Sequence, residues 1–263
     1  MVPSVEETIA LRRFAESAAG QAGRELAANQ GRWSRAERVA GHDVKVRGDV
    51  ESEALLARLL GAATGYAVFG EESGLIGDAG GDWVWVIDPL DGTANYERGV
   101  PACCVSVALC RRGVPVIGVV YDFNRDEMFS GVVASEDLDG VAMLNGRNMR
   151  VSRTAHRAQG ILATGFPVAS DFDASALGDY VRSVQNFRKV RSLGSAALML
   201  AYVACGRFDA YVERNVRFWD VAAGMVLVQA AGGITSDTSA VPGFARKLTL
   251  HASNGILVNT PSA

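Results

Sequence analysis

The sequence has few cysteines, no long apolar run and no excess of basic residues. No zinc-site spacing is present, so we expect buried, reduced thiols at Cys103, Cys104, Cys110 and Cys205. The longest apolar runs, such as residues 114–121, are far shorter than the roughly 20 residues of a membrane helix. A formal net charge of −3 argues against the basic surface typical of nucleic-acid-binding proteins. We therefore expect no nucleic-acid partner and no membrane partner.

The first residues also lack the pattern of a secretory signal, in which charged residues precede an apolar stretch. This predicts a cytoplasmic protein. The chain has 263 residues, 49% of them apolar, which is enough for a sizeable core in one large domain or two lobes. No low-complexity segment indicates disorder.

Hydrophobic periodicity predicts an α/β protein with two parts. Helices are expected at residues 6–29, 50–60, 175–186, 196–205 and 221–231. Strands are expected at residues 67–69, 83–87, 104–109, 115–121, 128–133, 161–164 and 208–212. A turn at residues 145–147 separates a strand-rich part from an alternating part. We place the boundary there, with an N-terminal α+β lobe at residues 1–145 and a C-terminal α/β lobe at residues 146–263.

Three acidic segments lie at the ends of these elements. Residues 70–73 (GEES) follow one predicted strand, and residues 88–93 (DPLDGT) follow the next. Trp219 and Asp220 precede the helix predicted at residues 221–231. Ligands of open α/β sheets bind beyond the strand ends, so these segments are candidates for one site.

The segment DPLDGT combines residues that a metal and phosphate site needs. Pro89 ends the strand and turns the chain so that Asp88 and Asp91 can converge. Gly92 lets a ligand approach the backbone, and Thr93 opens a helix or turn with free N–H groups. Carboxylates repel phosphate unless divalent cations lie between them, and hard oxygen ligands select Mg²⁺. Two such ions, about 3.5–4 Å apart, can hold both the attacking water and the leaving oxygen.

Each segment alone has an ordinary structural explanation. Asp-Pro and Asp-Gly pairs are common in turns, and Asp220 alone is more often a helix cap than a metal ligand. Glu71 and Glu72 alone are typical of a surface loop. All three segments together, each at the end of an element, favour a functional site.

With these motifs the sequence resembles the inositol monophosphatase family, the magnesium-dependent, lithium-sensitive sugar phosphatases. GEES is similar to the family's first motif, residues 88–96 (DPLDGTANY) to its signature, and residues 219–224 (WDVAAG) to its C-terminal motif. Residues 163–167 (ATGFP) and 191–197 (RSLGSAA) also resemble family segments. The resemblance implies a layered αβαβα sandwich, commonly a homodimer, that hydrolyses a small sugar-like phosphate monoester with metal-activated water.

The resemblance also implies two or three Mg²⁺ ions. Glu71, Asp88 and the carbonyl of Leu90 would hold one ion. Asp88, Asp91 and Asp220 would hold a second, and Glu71 would touch a third, weaker ion.

Further roles in catalysis and substrate binding follow from the same resemblance. Glu71 and Thr93 would orient the attacking water, and Asp49 would hydrogen-bond Thr93. The N–H groups of Gly92 and Thr93 would receive the phosphate. The substrate pocket would be lined by Asp91, Gly194, Ser195, Ala196, Glu213 and Asp220.

One segment departs from the family pattern. The family often has Val-Thr-x-x-Asp before its second helix, whereas residues 45–49 here read Lys-Val-Arg-Gly-Asp. Val46 replaces the threonine. Lys45 and Arg47 add positive charge, which favours a more anionic substrate unless both are simply solvated.

Several alternatives stay open. Glu213, seven residues before Asp220, matches the family's contact with inositol hydroxyls and favours inositol monophosphate. The alternative activities are fructose-1,6-bisphosphatase, histidinol-phosphate phosphatase and adenosine 3′,5′-bisphosphate phosphatase. The non-enzyme alternative is a regulatory binding protein that keeps the fold, since some bacterial relatives act in transcription complexes. No Gly-x-Ser-x-Gly elbow or P-loop supports another enzyme class.

Overall fold

The structure is a computed structural model that describes residues 3–40, 43–78, 80–136, 138–166, 174–239 and 242–258. The helices in these ranges are α1 (Val5–Trp33), α2 (Arg47–Thr64), α3 (Thr93–Arg98), α4 (Ala174–Gln185), α5 (Ala196–Ala204) and α6 (Phe218–Ala230), with a 3₁₀ helix at Arg157–Gln159. The strands are β1 (Ala36–Ala40), β2 (Asp43–Val46), β3 (Ala67–Gly70), β4 (Gly74–Ile76), β5 (Trp83–Asp91), β6 (Cys104–Arg111), β7 (Val114–Asp122), β8 (Glu127–Val132), β9 (Val141–Leu144), β10 (Arg147–Asn148), β11 (Ile161–Thr164), β12 (Lys189–Arg191), β13 (Ala210–Arg217), β14 (Ile234–Thr238) and β15 (Lys247–Ser253).

Two mixed sheets organise the chain. The larger has eight strands in the order β10-β9-β8-β7-β6-β5-β3-β4, and only its β3–β5 pair is parallel. The smaller has five strands in the order β12-β11-β13-β15-β14, with β11 parallel to both of its neighbours. Strands β1 and β2 form a separate antiparallel pair.

Helices and sheets stack in layers. Helices α1 and α2 pack on one face of the larger sheet, and α5 and α6 pack between its other face and the smaller sheet. This is the layered α/β architecture that the sequence predicts. It places α5 and α6 against strands of both sheets.

Side chains of β5 alternate between the two core clusters that result. Trp85 and Ile87 pack beneath α1 and α2, whereas Val84 and Val86 pack beneath α5 and α6. The prediction that this strand is buried on both faces is confirmed.

All four cysteines are free thiols. Cys103, Cys104 and Cys110 are buried as expected, whereas Cys205 is only half-buried. Cys103 lies in the core beneath α1 and α2, and Cys104 lies in the core beneath α5 and α6, because neighbouring residues of an extended segment face opposite sides.

The helices differ from the sequence predictions mainly at their ends. Helices α1 and α2 extend beyond residues 6–29 and 50–60 in both directions. Helix α6 begins at Phe218, so Asp220 lies in its first turn and not before it. The reason is local, since the Asp220 carboxylate accepts the backbone N–H of Arg217 and so caps the helix start.

The two-lobe division near residue 145 stays a prediction. One core cluster contains residues from both sides of that position, such as Val86 and Leu227. Among the described helices, none is both long and apolar enough to cross a membrane.

Candidate active site

Two neighbouring strands bring the first two acidic segments side by side. Strands β3 and β5 are parallel, with Gly70 opposite Ile87, so both segments follow at the same edge of the sheet. Glu71 comes directly after β3, and Asp88 and Asp91 lie in the last part of β5. The expectation that Pro89 ends this strand is therefore wrong, because β5 continues to Asp91. The pairing with β6 shifts register between Asp88 and Asp91, which is a bulge that redirects the side chains.

Asp220 faces the same space from α6, and we call Glu71, Asp88, Asp91 and Asp220 the acidic centre. Burial raises the pKa of Asp88 well above its ordinary value, and the charges of Glu71, Asp91 and Asp220 raise it further. Burial, followed by the charges of Asp91 and Glu71, also raises the pKa of Asp220. The structure therefore brings these four predicted residues close enough to repel one another.

Asp91 is held by the N-terminal end of α5. Its carboxylate accepts hydrogen bonds from the Ser195 hydroxyl at 2.6 Å and the Ala197 N–H at 2.7 Å, with the Ala196 N–H at 3.3 Å. Burial raises the pKa of Asp91 to about 6, and these donors oppose the rise. Ser195 and Ala196 are buried against Asp91, and their role in the substrate pocket stays a prediction.

Thr93 and Asp49 form a hydrogen-bonded pair. The Thr93 hydroxyl lies 2.9 Å from the Asp49 carboxylate and 3.0 Å from the carbonyl oxygen of Leu90. The other Asp49 oxygen accepts the N–H of Val46, so Asp49 also caps α2. Burial raises the pKa of Asp49 to about 6, and the hydrogen bonds from Val46 and Thr93 oppose the rise. The contact is present, and the catalytic role of the pair stays a prediction.

Gly92 and Asn95 shape the loop after β5. Gly92 has φ of +92°, and a Cβ there would lie 2.8 Å from the carbonyl oxygen of Ala102, so both conformation and space require glycine. Asn95 donates to the carbonyls of Ala102 and Leu193 at 2.7 Å each, which ties this loop to the segment at Gly194. Asn95 belongs to the signature-like segment at residues 88–96, but no role was predicted for it.

Glu213 lies on β13 beside the acidic centre. Its carboxylate accepts a hydrogen bond from the Tyr211 hydroxyl at 2.8 Å, and a Cβ at Gly165 would meet it at 2.0 Å. Burial raises the pKa of Glu213 to about 7, the Tyr211 hydrogen bond opposes the rise, and the charge of Asp91 adds to it. Pro167, in the same family-like segment as Gly165, lies outside the described residues.

The two cations that depart from the family pattern are both paired with acids. Lys45 forms an ion pair with Glu72, and Arg47 forms one with Glu51, one turn along α2. They therefore give no reason to expect a more anionic substrate. Val46, which replaces the family's threonine, is buried, and its backbone N–H donates to the Asp49 carboxylate that caps α2.

Helix α2 contributes two residues that were not predicted from the sequence. The Ser52 hydroxyl donates to the Pro89 carbonyl at 2.9 Å, and Glu53 accepts the N–H groups of residues 72–73. Their spacing of three and four residues from Asp49 is the signal that could have identified them, because such positions share one helix face.

The oxygen atoms in and beside the acidic centre are suitable ligands for a hard divalent cation. Carboxylates and the Leu90 carbonyl supply only oxygen ligands, which is the chemistry that Mg²⁺ prefers. A cation would reverse the repulsion that raises the pKa of Asp88 and Asp220. Among the residues described, no three His, Cys, Asp or Glu side chains are arranged to hold an ion as they stand. Both Asp91 oxygens face α5 donors, so a cation would have to draw the carboxylates together.

The fold and the acidic centre together point to a class of protein, the α/β phosphatases that work with metal ions. The model of the Inositol monophosphatase family matches residues 9–262, and the chain belongs to that family. Phosphatase activity that depends on metal ions is characteristic of that family. The family predicted from the sequence motifs is therefore confirmed.

Curated relatives carry two kinds of name. The chain is 43% identical over 190 residues to a Nus factor SuhB of Xylella fastidiosa, covering 72% of this chain and 66% of that protein. It is 36% identical over 206 residues to an inositol-1-monophosphatase of Synechocystis, covering 74% and 67%. The chain thus spans about two thirds of the length of these relatives.

Solved structures match nearly the whole chain. An inositol monophosphatase from Anabaena is 33% identical with a TM-score of 0.78, covering 95% of this chain and 92% of that one. The extragenic suppressor protein suhB from Bartonella henselae is 32% identical with a TM-score of 0.82, covering 94% and 95%. The predicted fold class is therefore confirmed.

Proposed function

We propose that this chain is a magnesium-dependent phosphatase that hydrolyses a small sugar-like phosphate monoester, with inositol monophosphate as the favoured substrate. The observation that carries the proposal is the convergence of the acidic centre beside the hydrogen-bonded pair of Thr93 and Asp49. Repelling carboxylates attract cations, and a polarised hydroxyl beside them suits hydrolysis of a phosphate ester.

Oxygen ligands for two principal Mg²⁺ ions come from the acidic centre and Leu90. Glu71, Asp88 and the Leu90 carbonyl would hold one ion, while Asp88, Asp91 and Asp220 would hold the other. Glu71 would also touch a weaker third ion. Bound there, the ions would neutralise charge on the phosphate and lower the pKa of water.

Thr93 and Glu71 would orient the attacking water. The Thr93 hydroxyl has one proton, and the charged Asp49 is a stronger acceptor for it than the Leu90 carbonyl. The Thr93 oxygen then keeps lone pairs that can accept a hydrogen bond from water. Glu71 would accept the second hydrogen of the same water, so that its oxygen points at phosphorus.

The phosphate would rest on the N–H groups of Gly92 and Thr93. Helix α3 has only six residues, so we assign this contact to the loop shape at Gly92 and not to a helix dipole. The sugar would face residues 194–196 and Glu213, between Asp91 and Asp220. Glu213 would accept hydrogen bonds from the sugar hydroxyls and repel a second phosphate.

A phosphate-release assay tests this proposal. The substrates are inositol monophosphates, fructose 1,6-bisphosphate, histidinol phosphate and adenosine 3′,5′-bisphosphate, each with Mg²⁺ and with a chelator. We expect the largest kcat/KM for an inositol monophosphate and no release in chelator. A preference for another substrate would replace the substrate alone, whereas no release from any of them would contradict the phosphatase.

A role in a transcription complex is the second candidate. It is favoured by relatives that are Nus factors SuhB, 43% identical in Xylella fastidiosa and 40% identical in Pseudomonas aeruginosa. With a net charge of −3, such a role would use protein contacts and not nucleic acid. Binding of an Asp88→Asn variant to purified RNA polymerase, with turnover lost, would establish it. Absence of binding by the wild-type chain would remove it.

We also propose that the chain forms a homodimer, as the family resemblance implies, and that it is cytoplasmic, as the sequence predicts. Light scattering of the purified chain tests the dimer. A monomer at all concentrations would contradict it without affecting the proposed chemistry.

A further inference from the structure

One face of α2 carries three buried polar side chains. Asp49, Ser52 and Glu53 are 3%, 1% and 2% exposed, and their i, i+3 and i+4 spacing places them side by side. Asp49 contacts Thr93, and Ser52 donates to the carbonyl of Pro89. Two of these residues therefore anchor the loop that carries Asp88 and Asp91, which leaves the role of the third to explain.

Glu53 supports the turn that carries Glu71. Its two carboxylate oxygens accept the N–H groups of Glu72 and Ser73 at 2.8 Å each. A Cβ at Gly70 would lie 2.4 Å from the Glu53 carboxylate, so the end of β3 packs directly against it. Hydrogen bonds to a charged acceptor are stronger than neutral ones, so this support is firm and directional.

The side chains of Glu71 and Glu72, both in this turn, have different partners. The Glu72 side chain forms an ion pair with Lys45. The charge of Glu71 instead acts on Asp88 and Asp220. Because the turn is short, the position of its backbone decides which of the two glutamates reaches the acidic centre.

We propose that Glu53 is a positioning residue that holds the turn after β3 so that Glu71, and not Glu72, faces the acidic centre. It acts through Glu71 and touches neither substrate nor cation. The inference rests on the proposed function, because it assigns Glu53 to the metal site of that function.

The test compares Glu53→Gln with Glu51→Gln, a change on the same helix at a glutamate whose side chain is 40% exposed and pairs with Arg47. Mn²⁺ binding is measured by calorimetry without substrate, next to Tm. Glutamine keeps one acceptor oxygen but presents an NH₂ group to the other backbone N–H. We expect Glu53→Gln to weaken Mn²⁺ binding by roughly 10–100-fold, as for other residues that orient metal ligands, and Glu51→Gln to bind normally.

Gly70→Ala approaches the same contact from the other side. Its added methyl group would displace the Glu53 carboxylate, so it should reproduce the loss of Mn²⁺ affinity, and it decides the matter if Glu53→Gln does not fold. Folded variants with wild-type affinity and only a lowered Tm would overturn the positioning role and leave the proposed function intact. A wild-type chain that binds no Mn²⁺ would overturn both.

Discussion

Asp88 is the most deeply buried carboxylate of the acidic centre, at 3% exposure, and it faces three other acids. Asparagine keeps its shape but removes the charge that would hold two cations. We expect Asp88→Asn to lower Mg²⁺-dependent turnover by about 100-fold or more. In chelator the variant should be at least as stable as wild type, because a repelled buried charge has gone. Steady-state kinetics and Tm measure both, and normal turnover would remove Asp88 from the metal site.

Thr93 is distinguished from its neighbours by the hydrogen bond to Asp49. Thr93→Ala should lower kcat by roughly 10²-fold, in the range of proton-transfer and water-orienting contributions, and should leave KM nearly unchanged. Thr93→Ser is the matched control, since it keeps the hydroxyl and should keep most of the activity. A normal kcat with raised KM in Thr93→Ala would reassign the residue to phosphate binding.

Glu213 is the residue on which substrate choice depends in this proposal. Glu213→Ala should reduce kcat/KM for an inositol monophosphate. The expected loss of transition-state stabilisation is about 1–3 kcal/mol, the usual cost of losing a charged hydrogen bond. An aryl phosphate has no hydroxyls to lose and should be affected much less. Equal losses on both substrates would mean that Glu213 supports the fold or the metals and does not select the sugar.

The position of helix α6 depends on its contact with β7. A Cβ at Gly118 would lie 2.4 Å from the carbonyl oxygen of Ala223, so α6 rests directly on the strand backbone. Gly118→Ala should lower the free energy of unfolding by roughly 1–3 kcal/mol. Because α6 carries Asp220, Mg²⁺ affinity should fall as well.

The control for this element is Gly31→Ala in α1, where an added Cβ meets no atom within 4 Å. A helical glycine costs roughly 1 kcal/mol relative to alanine, so this change should be neutral or stabilising. Urea unfolding of both variants measures the difference. Equal stability of Gly118→Ala and wild type would show that α6 can shift on β7 without cost.

For the whole molecule, the raised pKa values predict how pH and Mg²⁺ act together. The pKa is about 6 for Asp91 and about 7 for Glu213 in the folded chain, against ordinary values of 3.8 and 4.5. At pH values between the ordinary pKa of each group and its raised pKa, the folded state binds more protons than the unfolded state. The stability that these groups contribute without metal is therefore complete below about pH 4 and is lost as pH rises through about 7.

Mg²⁺ binds the deprotonated carboxylates, so its stabilising effect should grow as pH rises. We expect the gain in Tm on adding Mg²⁺ to be larger at pH 8 than at pH 5.5. At a concentration of 100 Kd the gain corresponds to about 2.7 kcal/mol. Thermal unfolding in Mg²⁺ and in chelator measures it, with Asp88→Asn as control. The same gain at both pH values, or in the variant, would contradict the assignment of the acidic centre as the metal site.

Signals that are local in the sequence were sufficient for the family, the fold class and most helices and central strands. The apolar run at residues 83–87 required a strand buried on both faces, because every second side chain of a strand points the other way. The acids at 71, 88, 91 and 220 could be named in advance, because each lies in a segment that resembles a motif of the family. Eight of the described strands were not predicted, and seven of them have five residues or fewer, too few to show a clear period: β1, β2, β4, β9, β10, β12 and β14. The eighth, β15, alternates buried Leu248, Leu250 and Ala252 with other residues, so its period of two was a signal that could have identified it.

The groups that hold these acids could not be identified from the sequence, because they come from distant parts of the chain. Asp91 accepts hydrogen bonds from Ser195 and Ala197, which lie 104 and 106 residues away in the sequence. Glu53 accepts hydrogen bonds from N–H groups 19 and 20 residues away, in the turn that carries Glu71. Periodicity reports which face of an element is buried, and it carries no information on which distant group that face will meet. The packing of α2 and α5 against the sheets determines these partners. A buried carboxylate needs hydrogen-bond donors, and packing determines which donors lie next to it.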